Sequence, residues 1–158
     1  MKYVGLEPGI EEFKCLKYNV KENNVLRNIC LGDKNEKVEF FYKPEFGDSS
    51  LLDMGDSDES YICDVKKLDD LLNEINLVDK KIKLFKFEAE GAEPEVLFGS
   101  KNSLKNIEYI TADLGFERGV SQDTTASQVI NFLINNGFEL ISVGKKRMCY
   151  LFKILKYS

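Results

Sequence analysis

The segment Lys86-Phe87-Glu88-Ala89-Glu90-Gly91-Ala92-Glu93-Pro94-Glu95-Val96-Leu97 leaves the chain few ways to fold. An apolar run, Ile82–Phe87, leads directly into the start of a helix. Pro94 suits the first helical position, where its missing N–H is no loss and its fixed φ helps. Glu93 sits where a side-chain oxygen reaches the open amides, and Glu95 adds negative charge to the first turn. Gly91 allows a tight bend between strand and helix. Three carboxylates, Glu88, Glu90 and Glu93, therefore gather at the carboxyl end of an expected central strand. In open α/β sheets that is the edge where ligands bind. An acidic, solvated connection has the same composition, so the pattern alone leaves both readings open.

At 158 residues the chain is read as a single domain, residues 1–158, large enough for a real core. A net charge of −5 without a basic block argues against nucleic acid. No apolar run approaches a membrane span, and the first residues lack a signal peptide's apolar region, so a cytoplasmic protein is expected. Histidine is absent, which excludes Ser-His and Cys-His mechanisms. Cys15, Cys30, Cys63 and Cys149 are irregularly spaced, with no Cys-x-x-Cys pair. They are read as free buried thiols in a reducing compartment, with no metal site.

Residues 2–6 are read as a short strand and Glu11–Asn23 as a helix with Phe13, Leu16 and Val20 on one face. Val25–Leu31 and Val38–Tyr42 follow as strands. Residues 43–60 carry Pro44, Gly47, Gly55 and many Asp and Ser, and read as a loop. Its Asp53, Asp56, Asp58 and Glu59 suit either a solvated loop or a hard cation, but lack the spacing of an EF-hand. Val65, Leu68, Leu72 and Ile75 form a 3-4-3 stripe that predicts a helix over 65–76. Ile82–Glu88 is a strand, a short helix runs from Pro94 to near Gly99, and Ile107–Asp113 is the next strand. Thr125-Ala126-Ser127-Gln128 fits a capping box, followed by a helix burying Val129, Ile130 and Leu133 and ending at Gly137. Phe138–Val143 and Arg147–Leu155 predict a terminal antiparallel hairpin. The alternation of strands and helices predicts an α/β three-layer fold.

Lys-Phe-Glu-Ala-Glu-Gly-Ala-Glu (residues 86–93) resembles the Lys-Ile-Asp-Val-Glu-Gly-Ala-Glu signature of the FkbM family of S-adenosylmethionine-dependent methyltransferases. Val96-Leu97-Phe98-Gly99-Ser100 and Leu104 resemble that family's continuation. Glu7-Pro8, with Leu16 and Asn19, Ser49-Ser50-Leu51, and Leu68-Asp69-Asp70-Leu71 resemble other family segments in order. The resemblance runs from Val4 to about Gly137. It implies a class I methyltransferase-like (Rossmann-like), mostly parallel sheet with a C-terminal antiparallel hairpin. It also implies S-adenosylmethionine as cofactor and O-methylation of a hydroxyl on a sugar or natural product.

By that resemblance Glu7 would hold the cofactor's ribose, with Cys30 and Leu31 beside its adenine. The family's first strand and Gly-rich loop are expected about 20 residues before such an acid, which runs off Met1. The chain is thus expected to be N-terminally truncated or split, to bind the cofactor weakly or not at all alone, and to complete its sheet with a partner chain or a second copy. A truncated or split, cofactor-deficient protein without independent activity is the alternative function. Glu88 and Glu90 are the candidate catalytic carboxylates, one of which would take the acceptor's proton. Glu88 stands where the family has Asp. Asp113 matches a family Glu and is a candidate for substrate binding, or else an acidic strand end. Arg118 is either a substrate contact or the holder of a loop. Glu93 is read as a helix cap and Lys86 as a snorkelling or ion-paired lysine. Glu7 and Glu88 are expected on the same edge of one sheet.

Overall fold

A computed structural model describes residues 2–42 and 59–155. β1 (Val4–Leu6) and β2 (Val25–Arg27) pair in parallel and are connected through helix α1 (Ile10–Asn19). β3 (Cys30–Leu31), β4 (Glu36–Tyr42) and β5 (Glu59–Lys66) form a second sheet in the order β3-β5-β4. Helix α2 (Leu68–Glu74) follows, then β6 (Ile82–Phe87) and helix α3 (Glu93–Phe98). A 3-10 turn at Leu104–Asn106 leads into β7 (Ile107–Asp113), and β8 (Phe116–Arg118) and β9 (Asp123–Thr124) make a small hairpin. Helix α4 (Ala126–Asn135), β10 (Phe138–Val143) and β11 (Cys149–Ile154) complete the described chain. The largest sheet has the order β10-β11-β7-β6, with β6 parallel to β7 and the other pairings antiparallel.

The architecture is mixed α/β, and the terminal hairpin forms as expected. In place of one mostly parallel sheet, the described residues form four small sheets with three parallel pairings, β1/β2, β3/β5 and β6/β7. β6 has a single pairing partner, so among the described residues it is an edge strand, with Leu84 54% exposed. This corrects the expectation of apolar neighbours on both sides of Ile82–Glu88. Its apolar run buries Phe87 and half-buries Ile82 and Phe85, while Lys83, Leu84 and Lys86 face solvent. Lys83 and Lys86 are the kind of charges that discourage pairing at an open edge.

The main core lies between this sheet and the helices, where Leu97, Ile110, Val129, Leu133, Phe138 and Phe152 are essentially inaccessible. α4 buries Ala126, Val129 and Leu133, spaced three and four apart, so one stripe faces the sheet. A second, smaller core holds Cys30, Phe40, Cys63 and Val65.

Several segments depart from their sequence reading. α1 is shorter than Glu11–Asn23 and has no fully buried residue; Phe13 is half-buried under Lys17, whose ammonium lies 4.9 Å from its ring. Val25–Leu31 divides into β2 and β3 because Asn28 turns the chain, its amide donating to the carbonyls of Glu7 and Pro8. The strand β5 takes Val65 from the predicted helix. Cys63 and Val65 point inward with period two, and the 3-4-3 stripe masked that alternation by sharing Val65. Most of the predicted loop over 43–60, with Asp53, Asp56 and Asp58, lies outside the described residues, as does Ser49-Ser50-Leu51. Glu59, the remaining acid of that cation reading, begins β5.

Candidate functional site

The parallel register of β6 and β7 builds the site. Phe87 pairs with Ala112, so the next residues, Glu88 and Asp113, emerge side by side at the carboxyl edge. The chain then turns back through Ala89–Ala92, closed by Ala92 N–H donating to the Ala89 carbonyl at 3.0 Å. Both central residues have positive φ, 45° at Glu90 and 92° at Gly91. Gly91 accepts this at little cost, whereas a non-glycine residue such as Glu90 is held there by its surroundings. At Gly91 a Cβ would also lie 2.5 Å from the Arg118 Cα, so backbone packs directly on backbone.

Glu93 holds the turn from beneath. Its side chain is buried, at 1% exposure. Oε1 accepts from the amides of Ala89 (2.9 Å) and Gly91 (3.1 Å), and Oε2 accepts from Thr125 Oγ1 (2.8 Å). The sequence reading of Glu93 as a carboxylate for open amides is therefore close. It is the first helical residue of α3, however, and it serves the preceding turn. Thr125 is the N-cap of α4 but gives its hydroxyl to Glu93, so the expected capping-box bond does not form.

Arg118 is spent inside the protein. Its guanidinium donates to Glu95 Oε1 at 2.7 Å and Oε2 at 3.0 Å, and to the Gly91 carbonyl. That two-pronged geometry is the strong form of an arginine–carboxylate pair. Burial pushes the Glu95 carboxyl up, but the Arg118 hydrogen bonds and charge outweigh it and hold Glu95 below the usual carboxylate range.

The open side of the edge is acidic. Asp113 is 6% exposed, accepts from Cys149 Sγ at 3.3 Å and pairs with Arg147 at 3.0 Å. Arg147 also donates to Glu88 at 2.9 Å, and Lys86 reaches Glu88 at 3.2 Å. Glu117 joins them, with Oε2 buried and unpartnered. Burial, then the charges of Asp113, Glu93 and Glu88, push its carboxyl up, against the opposing effect of a hydrogen bond with Glu90. Glu88, Glu90, Asp113 and Glu117 thus share one edge, with Arg147 bridging two of them.

The sequence reading missed Arg147 and Glu117. Arg147 was read only as the start of a strand, and its place depends on β11 pairing with β7, which sets Cys149 opposite Asp113. For Glu117 a signal existed: it follows β7 by a few residues, at the edge already marked by Asp113.

The residues expected to hold the cofactor form a separate cluster. Glu7 follows β1, and its Oε1 accepts from the Gly9 amide at 2.8 Å. Burial first, and then Glu12, push its carboxyl up against that hydrogen bond. Cys30 and Cys63 touch, sulfur to sulfur, at 3.4 Å. The hydrogen bond to Cys63, burial and the Glu7 charge hold the Cys30 thiol protonated. Leu31 packs against the main core. Glu7 and Glu88 belong to different sheets rather than one. Of the four thiols, Cys30 and Cys63 are buried as read, Cys15 is exposed and Cys149 is partly so. Among the described residues no group of three or more acidic or cysteine side chains is arranged to hold a metal. No helix among them is long and apolar enough to cross a membrane.

The carboxylate cluster of this mixed α/β domain lies where the parallel strands β6 and β7 end, the edge at which ligands bind in open α/β sheets. The family model described as the Methyltransferase FkbM domain matches residues 1–140, and the chain belongs to that family. No curated protein and no solved structure matches it.

Proposed function

We propose that the chain serves methyl transfer to a hydroxyl group of a sugar or natural product, with S-adenosylmethionine as donor. The observation that carries this reading is the register of β6 and β7, which sets Glu88 beside Asp113 at the carboxyl edge in a chain of the FkbM methyltransferase family. The donor supplies an electrophilic methyl on a sulfonium. The protein's task is to hold the acceptor oxygen in line and to receive its proton, a gain mainly in effective concentration.

Glu88 and Glu90 frame the place where the acceptor hydroxyl would sit. Arg147 orients Glu88 and Asp113 by bridging them, and an incoming polyhydroxylated acceptor would exchange hydrogen bonds with this pair. Glu117, beside Glu90, adds a carboxyl whose raised proton affinity suits it to receive the hydroxyl proton. Arg118 supports the turn by holding Gly91 and Glu95.

The fit to the donor is uneven. Glu7 has one oxygen engaged by Gly9, leaving the other for a ribose hydroxyl, while Leu31 lies in β3 of the second sheet. The Cys30 thiol faces Cys63, so its contact with an adenine would come from the backbone. No Gly-x-Gly-x-x-Gly turn occurs in the sequence. The residues of this chain therefore fit the adenosine half of the donor better than its methionine half.

The test is transfer of a labelled methyl group from S-adenosylmethionine to a panel of mono- and disaccharides and phenols. Glu90→Gln and Glu88→Gln are expected to lower the rate by about 100-fold, the usual scale for losing a general base. Absence of transfer to every acceptor, with the fold intact, would remove the proposal and favour a protein that keeps the fold without independent activity.

A further inference from the structure

The opposite edge of the same sheet carries the opposite charge. A groove of about 530 Å³ opens where β6 and β7 begin. Lys81, Lys83, Lys101 and Lys105 line it against a single carboxylate, Glu108. Lys83 is committed to Glu108 at 2.6 Å and lies over the Tyr109 ring. Lys81, Lys101 and Lys105 have no hydrogen-bonding or ionic partner among the described residues. Ile82, Ile154 and Leu155 give the groove an accessible apolar floor.

These three ammonium groups come from separate places: the approach to β6, the turn after α3, and the 3-10 turn before β7. Bringing like charges together without a counter-charge is unfavourable, and the cost is lowest when an anion is shared among them. The molecule as a whole has a net charge of −5, so this local excess of positive charge runs against its overall field. The volume falls within the range of about 300–1,000 Å³ of small-molecule sites. β6 is six residues long, so the groove lies about 20 Å from Glu88, at roughly 3.3 Å per residue. An anion held here would not touch the carboxylate cluster.

We propose that this groove binds a small organic phosphate monoester, its dianionic phosphate held by Lys81, Lys101 and Lys105 and its apolar body lying on Ile82, Ile154 and Leu155. A phosphate presents three charged oxygens to separate lysines, which bind it as point charges. The apolar floor distinguishes an ester from the free ion.

Titration calorimetry with phenyl phosphate, and with inorganic phosphate as comparison, tests this on the whole chain. One phenyl phosphate is expected per chain, bound about tenfold more tightly than inorganic phosphate, the equivalent of about 1.4 kcal/mol. Lys101→Ala/Lys105→Ala is expected to weaken binding by at least about tenfold, on the scale of losing charge-assisted hydrogen bonds. Lys80→Ala, outside the groove, should leave it unchanged. Amide shifts in the unmutated protein should move at residues 101–107, a readout that does not depend on the variants folding. Three outcomes overturn the proposal: no binding at about 10 mM ligand, the weak limit of a specific site; equal affinity for ester and free phosphate; or shifts confined to another face.

Discussion

Glu93 is a carboxylate withdrawn from water and satisfied by three donors on two other segments. Replacing it by Ala leaves two buried amides and a hydroxyl without an acceptor. Hydrogen bonds to charged groups are worth about 1.5–3 kcal/mol each, with incomplete additivity, so Glu93→Ala should cost about 3 kcal/mol. At about 2–4 °C per kcal/mol for a chain of this size, the melting temperature should fall by roughly 6–12 °C in calorimetry. Glu117 is the opposite case. Burial and neighbouring carboxylates raise its pKa from the usual 4.5, so the folded state holds its proton more tightly than the unfolded state. Such a group's favourable contribution is full below 4.5 and is lost as pH rises through its folded value. Glu117→Gln should therefore raise stability at neutral pH relative to the native protein, with the gain shrinking toward acid pH. Urea denaturation across that range measures both. If methyl transfer falls in the same variant, Glu117 serves as a proton acceptor for function at the expense of stability.

At the level of elements, the strand–turn–helix unit β6–α3 is held by backbone contact as much as by side chains. Gly91 has φ 92° and would bring a Cβ to 2.5 Å from Arg118 Cα. Gly91→Ala should therefore displace β8 and destabilise the fold by about 1–3 kcal/mol, the scale of a forced unusual φ. A smaller loss of stability, read from denaturant midpoints, would show that the turn can relax. The Arg118–Glu95 pair joins β8 to α3 across 23 residues of sequence. Glu95 has a lowered pKa, so its contribution is present above 4.5 and is lost as pH falls through its folded value. A double-mutant cycle with Arg118→Met and Glu95→Gln should show coupling at pH 7 that vanishes in acid.

For the whole molecule, the acidic site and the Glu7 cluster occupy different sheets, and no Gly-x-Gly-x-x-Gly pattern occurs in the sequence. This 158-residue chain should accordingly bind S-adenosylmethionine weakly. Losing two or three hydrogen bonds at about 1 kcal/mol each lowers affinity on the order of 30- to 150-fold. Titration calorimetry decides it: a micromolar constant at one site per chain would mean that other backbone groups cradle the donor. Among the described residues the outer edge of β6 is open, and Lys83 and Lys86 on it discourage pairing with a further strand.

Local chemistry was legible in the sequence wherever a conformational demand fell on neighbouring residues. Gly91 and Pro94 announced the turn and helix, Val129 and Leu133 the buried stripe of α4, and Phe138 onward the hairpin. Order along the chain also carried the family, through residues 86–93 and the segments around them. Partners far apart in sequence were not legible. Glu93 meets Thr125 across 32 residues and Glu88 meets Arg147 across 59. The pairing of Arg118 with Glu95, the edge position of β6 and the split of Val25–Leu31 between two sheets likewise depended on which elements packed together. Periodicity records which residues prefer burial, because side chains on one face recur with the backbone's own repeat. It does not record what buries them, since that depends on the pairing of strands whose hydrogen bonds are the same for every sequence.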